Sequence, residues 1–278
     1  MVVHGSSEER RRGGVFPERM TSQAAKDHPG RRGETMRRYT ALFSVVLLML
    51  LLIPGFSHSL TLPFRGKGVW IQKNSMNNPL IFSDAFSWYI TEAMNEPFVD
   101  KLKGPLVMAF SGKKVAALEE LIDKNRKKIV AVVWDYEFGA SQSQAESDLT
   151  TAHKYANDRG LPFGVVVLAN PDTSLKANGV SFSRAKDYAD FLMPMLYCQW
   201  WNCDQPGKTQ QAFGKAKALT DLPLIVLITL KTTQTRAPGK LAPRHIASNY
   251  GNLNPYAFAI WNVEDLDESY LGAIKQLK

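Results

Sequence analysis

The stretch KIVAVVWDYEFG, residues 128–139, decides how the rest of the chain is read. Ile129 to Trp134 is an unbroken apolar run of strand length, and it ends abruptly in Asp135, Tyr136 and Glu137. Such a run is expected where both faces of a parallel sheet are covered. In a strand, side chains two apart share a face, so Ala131, Val133, Asp135 and Glu137 stand on one side and Val132, Trp134 and Tyr136 on the other. The Cα atoms of Asp135 and Glu137 are then about 6.6 Å apart, close enough for their carboxyls to meet. Two carboxyls at that range do not both ionise easily, and one takes up a proton near neutral pH. The pair thus supplies a general acid beside a charged partner.

Six more apolar runs flank this one: Gly68–Ile71, Leu106–Phe110, Phe163–Leu168, Phe191–Tyr197, Leu224–Leu230 and Ala257–Trp261. Amphipathic, charge-bearing segments of helical length lie near 84–96, 113–126, 142–159, 181–189, 207–219, 241–250 and 267–277. Strict alternation of this kind predicts an α/β protein, either a doubly wound sheet or a (β/α)8 barrel of the TIM type. No GxGxxG or GxxxxGK[ST] follows the first run, which removes the usual phosphate cradles of nucleotide-binding sheets. We therefore expect the barrel. With seven strands in view, one is irregular or missing, and Asn78–Phe82 and the neighbourhood of Phe98 are the candidates for an eighth. Nothing marks a linker or repeat, so residues 60–278 are expected to form one catalytic domain.

The segment before residue 60 reads differently. From Met36, MRRYTALFSVVLLMLLLIPGFSHS has a basic start, an apolar run from Ala41 to Ile53 and a small-residue end, the organisation of a Sec-type signal peptide with cleavage near Ser59. Thirteen residues span about 20 Å, short of a hydrocarbon core. We expect a secreted or periplasmic protein without stable membrane insertion once the signal is cleaved. Residues 1–35 are Arg- and Gly-rich without hydrophobic period, and are read as a disordered extension or a start-site artefact. Residues 1–59 hold nine of the 34 Lys and Arg and five of the 26 Asp and Glu, so half of the formal +8 sits outside the domain. The remaining +4 is spread without a basic and aromatic ladder, and nucleic acid is not an expected partner. Cys198 and Cys203, the only cysteines, bracket the loop CQWWNC. Export favours a disulfide between them, and with no histidine nearby in sequence a metal site is not expected.

In a barrel the functional groups stand at the C-terminal ends of the strands. There Met193, Met195 and Tyr197 share one face, as do Ala257, Ala259 and Trp261, so a phenol and an indole reach the mouth beside Asp135 and Glu137. The apolar face of a sugar ring stacks on such surfaces. Trp70, Gln72, Asn170, Gln199 and Trp200 are further candidate contacts with a sugar, and Thr229 and Lys231 end a strand at the same mouth. No cofactor is expected.

These residues resemble a known family. Asp135 and Glu137 match the last two acidic positions of the D-x-x-D-x-D-x-E strand of family 18 glycoside hydrolases, the chitinases and endo-N-acetylglucosaminidases. Met195-Leu196-Tyr197 resembles the start of their M-x-Y-D strand, and Trp261 falls where they carry a tryptophan on the final strand. The three elements keep the family's order along nearly all of residues 60–278. Val130 and Val133 stand in place of its first two aspartates, and Cys198 in place of the aspartate of M-x-Y-D. The resemblance implies that Glu137 protonates the glycosidic oxygen while Asp135 orients a substrate N-acetyl group whose carbonyl oxygen attacks the anomeric carbon. It implies that Tyr197 hydrogen-bonds that acetamido group and that Trp261 floors the cleaved subsite. Without the acetamido role a second carboxylate is needed, with Glu264 and Asp265 as candidates. The D-x-E strand also resembles that of family 25 lysozymes, which carry an aspartate on the first strand where Gly68–Gln72 has none. Both resemblances imply cleavage of bonds to N-acetylated amino sugars. The expected protein is thus a monomeric glycoside hydrolase acting on chitin, peptidoglycan or a related polysaccharide; the alternative is a carbohydrate-binding barrel without catalysis.

Overall fold

A computed structural model of the chain describes residues 61–112, 114–136, 141–168, 182–197, 207–232 and 239–278. Eight parallel strands close into a barrel: β1 (Gly66–Ile71), β2 (Trp88–Thr91), β3 (Leu106–Phe110), β4 (Ala131–Trp134), β5 (Phe163–Leu168), β6 (Phe191–Met195), β7 (Ile225–Thr229) and β10 (Ala257–Trp261). The two-residue strands β8 (Lys231–Thr232) and β9 (Gly239–Lys240) form a small antiparallel ribbon between β7 and β10. Each barrel strand pairs with its neighbour in the chain's sequence of barrel strands. The ring closes where β1 meets β10, with Gly68 opposite Ala259 and Val69 opposite Ile260. The (β/α)8 expectation therefore holds.

The eighth strand is β2, in neither of the places expected for it. Asn78–Phe82 contains the single 3-10 turn Pro79–Phe82, capped by the Asn78 side chain, and Phe98 lies in another such turn, Pro97–Lys101. The helix expected over 84–96 is instead strand and turns. Trp88–Thr91 is made of aromatic and β-branched residues, and all four are buried, which suits a strand covered on both faces. Their run is too short to show a period in sequence. With single turns in place of full helices in the first two units, the barrel fits a short chain.

The other segments become α1 (Val115–Asn125), α2 (Gln142–Asp158), α3 (Phe182–Ala185), α4 (Lys208–Ala218), α5 (Pro243–Tyr250) and α6 (Glu268–Lys275). Helix α2 shows why they form. Ser141 caps it by accepting a hydrogen bond from the Gln144 amide at 3.2 Å, and Ala145, Leu149, Ala152 and Ala156 recur at helical spacing to bury one face. Helix α6 is capped likewise by Asp267, which accepts from the amides of Ser269 and Tyr270. No helix among the described residues is long and apolar enough to cross a membrane. The expected signal segment, 36–59, lies outside the described residues.

Two apolar layers follow from strand alternation. Outward-facing Val132, Trp134, Val165, Val226 and Ile260 pack with the helices. A second cluster fills the barrel: Trp70, Trp88, Ile90, Val107, Ala109, Ala131, Val133, Val166, Phe191, Met193, Met195, Ile225, Leu227, Ala257 and Ala259 are all buried there. The inward assignments of Ala131 and Val133, of Met193 and Met195, and of Ala257 and Ala259 match the sequence reading. Glycine is required where rings fill this interior. A Cβ on Gly68 would stand 2.3 Å from the Trp88 indole, and one on Gly164 would stand 2.1 Å from the Phe191 ring.

Candidate active site

Asp135 emerges from the top of β4. Its amide still belongs to the ladder, donating to the Phe110 carbonyl at 2.8 Å, so strand alternation continues past Trp134 and directs Asp135 to the side of Ala131 and Val133. The residue is half-buried, with one carboxylate oxygen enclosed. Its neighbours are pinned on the opposite face. The Trp134 indole donates to the Gly112 carbonyl at 3.0 Å, and the Tyr136 ring meets Trp134 edge-on at 4.9 Å. The Tyr136 phenol donates to Asp148 of α2 at 2.9 Å, and the other oxygen of that carboxylate accepts from Gln144 at 2.8 Å. Burial, reinforced by the Asp148 carboxylate, pushes the Tyr136 phenol up to about 12. Anchoring Trp134 and Tyr136 outward leaves Asp135 a single facing. This brace could not be found in sequence, because Asp148 is twelve residues away on a helix.

The second group comes from β6 and β10. Tyr197 is buried among the interior residues, and its ring stacks on that of Trp261 with centroids 5.7 Å apart and planes inclined by 22°. Small Ala257 and Ala259 beneath Trp261 leave room for the indole, as their alternation indicated. The turn beyond is fixed by Asn262, the one described non-glycine residue at positive φ, 57°. Asparagine tolerates the left-handed region, and its side chain donates to Thr229 Oγ1 at 3.1 Å, the residue level with Trp261 on β7. Thr229 is fully buried at the top of the interior.

A third group sits at the heads of β1 and β2. Trp70, Gln72, Lys73, Asn74, Glu92 and Ala93 line a cavity of about 610 Å3, within the range of small-molecule sites. Trp70 and Gln72 were expected contacts, while Glu92 was hidden inside a segment read as helix. The register ends at Ile71 opposite Thr91, so Gln72 and Glu92 are the first residues beyond the two strands, Gln72 half-buried and Glu92 exposed. Glu264 and Asp265 occupy the half-buried single turn Val263–Asp265 after β10. Asn78 ties that turn down, donating to the carbonyls of Val263 at 3.2 Å and Leu266 at 2.9 Å.

Glu137, Asn170, Cys198, Gln199, Trp200 and Cys203 lie outside the described residues, and with them the expected disulfide. What the structure assembles is a barrel mouth with Asp135 on β4, Tyr197 and Trp261 in contact across β6 and β10, and Trp70 and Gln72 in one cavity. Around the barrel, β4 is separated from β6 by β5 and from β2 by β3.

No protein-family model matches the chain, and no curated protein matches it in sequence. Solved structures do. A GH18 chitinase from Pseudoalteromonas aurantia superposes with a TM-score of 0.56 at 13% identity, over 77% of this chain and 100% of that one. A chitinase from Chromobacterium violaceum gives 0.54 at 12%, over 77% and 98%. The fold is that of the family 18 glycoside hydrolases. The Bacillus cereus spore cortex-lytic enzyme SleL has the same barrel, with a TM-score of 0.58 at 7% identity over 78% of this chain and 75% of that one. At these identities the likeness is one of architecture.

Proposed function

We propose that this protein is an exported glycoside hydrolase that cleaves a polysaccharide containing N-acetylated amino sugars, with Glu137 as the general acid. The observation that carries this reading is the stacked pair Tyr197 and Trp261 at the same barrel end as Asp135, in a family 18 fold. A stacked indole and phenol offer an apolar platform and a hydroxyl, which suit a sugar face and its polar edge. In the proposed mechanism the sugar at the point of cleavage lies over Trp261. Glu137 donates its proton to the glycosidic oxygen as the bond to the anomeric carbon breaks. The carbonyl oxygen of the substrate's own acetamido group closes on that carbon, held by Asp135 and Tyr197. Water then opens the cyclic intermediate, with Glu137 taking back a proton. In the same reading residues 36–59 direct export, and Cys198 and Cys203 pair in the oxidising compartment.

The test is product release from chitin, peptidoglycan and de-N-acetylated glycans by the exported protein and by Glu137→Gln. Loss of general acid catalysis is expected to slow release by about 10²–10⁴-fold. Equal rates for the two proteins would exclude Glu137 from the chemistry. A second reading, a glycan-binding barrel without turnover, is favoured by Val133. It is fully buried directly beneath Asp135, where the family motif has a carboxylate. Tight binding to insoluble glycan with no new reducing ends would select that reading.

A further inference from the structure

We propose that the cavity at the heads of β1 and β2 is a subsite for a de-N-acetylated amino sugar, with the Glu92 carboxylate holding its ammonium group. The inference rests on the glycosidase reading and names the sugar that the mouth selects away from the point of cleavage. The cavity lies at the same barrel end, at the heads of β1 and β2, and β1 is the neighbour of the strand carrying Trp261. Its lining has the parts of a sugar site: the Trp70 indole as an apolar platform, and the amides of Gln72 and Asn74 for hydroxyl groups. Those groups receive an acetamido sugar and a free-amine sugar alike.

Glu92 breaks the tie. A carboxylate accepts hydrogen bonds and attracts a cation, so it favours an ammonium over a neutral acetamide. Its position is set by the end of β2: Glu92 directly follows Thr91, the last residue paired with β1, and stands exposed in the lining of the same cavity as Trp70 and Gln72. The chain just beyond is held by a local turn, with the Ala93 amide donating to Thr91 Oγ1 at 3.0 Å and the Met94 amide to the Glu92 carbonyl at 3.0 Å. Among the described residues no cation pairs with Glu92. Lys73, the one cation among the described lining residues, belongs to the turn Lys73–Ser75 that follows β1 and is exposed.

The experiment is calorimetric titration of the full chain carrying Glu137→Gln, which leaves the oligosaccharide uncut. The ligands are a chitin hexamer, its de-N-acetylated form and the same material re-acetylated. The free-amine hexamer is expected to bind about fivefold tighter at low salt, with the advantage shrinking as salt screens the pair. Re-acetylation is expected to remove the advantage, E92Q to bring the ratio near one, and E92D to keep part of it. Equal affinity for the two hexamers, or a preference that survives E92Q, overturns the inference. A preference for carboxylate-bearing muramyl oligomers, the ligand suited to Lys73, overturns it as well. If wild type cleaves acetylated chitin without any such preference, the hydrolase reading stands and this inference falls. Failure to bind any of these glycans removes both.

Discussion

The two ends of the barrel interior are built from the same residue type and do opposite things. At the lower end Phe64 packs on Trp88 at 4.5 Å and edge-on to Phe191 at 5.8 Å, and the two glycines Gly68 and Gly164 admit the rings. The Tyr256 hydroxyl donates to the Leu62 carbonyl at 2.9 Å, binding the entering chain beneath the barrel. Packing dominates there so far that the Trp88 indole N–H is enclosed without an acceptor among the described residues. At the upper end Tyr197 and Trp261 also stack, but Trp261 stays half-buried and Trp70 faces a cavity beside Gln72 and Glu92. An aromatic ring at the bottom fills space, while a ring at the top offers a face. What separates the two roles is the number of neighbours on the other side of the ring, together with polar groups supplied by strand ends.

Substitutions can break this contrast. Phe191→Ala removes a fully buried ring from the lower plug and should cost about 3–5 kcal/mol in urea unfolding. Its Michaelis constant for glycan should stay near that of wild type where the protein remains folded. Asp135→Asn is the converse, expected to lower glycan turnover about 100-fold, or about 2.7 kcal/mol, with little change in the unfolding midpoint. A large stability change for Asp135→Asn and none for Phe191→Ala would reverse the assignment of the two ends. Trp261→Ala should raise the Michaelis constant about tenfold and leave Tyr197 without its stacking partner, a loss visible in near-ultraviolet circular dichroism.

Tyr136→Phe probes the brace behind Asp135 and should have the smallest effect, about 1 kcal/mol of stability for the lost hydrogen bond to Asp148. It also carries a pH signature. The phenol is raised from 10.0 to about 12 in the folded protein, mainly by burial and then by Asp148. A group raised on folding contributes stability that is complete below its unfolded value and is lost as pH climbs through the folded one. Wild type should therefore lose stability between about pH 10 and pH 12, and Tyr136→Phe should flatten that part of the curve, read by urea unfolding across the range.

Much of this was legible in the residues themselves. Continuous apolar runs gave seven of the eight strands, and the alternation Ala131, Val133, Asp135 identified the inward side of β4 before any fold was known. The alternations ending in Tyr197 and Trp261 did the same for β6 and β10. Strand β2 was not legible: its four residues show no period, and surrounding polar residues made the segment look like one side of a helix. Glu92, the residue after that strand, was lost with it, as a carboxylate cannot be placed at a strand's head until the strand is found.

By itself the sequence determined the residues of seven barrel strands and which side chains along each share a face, because both follow from local backbone geometry and covalent spacing. Only the tertiary structure decided that Tyr197 touches Trp261 and that Gln72 and Glu92 line one cavity. It also decided that Tyr136 is held outward by Asp148. Those contacts depend on barrel closure and on the register between strands, which are set by the packing of all eight strands together and by no single stretch of the chain.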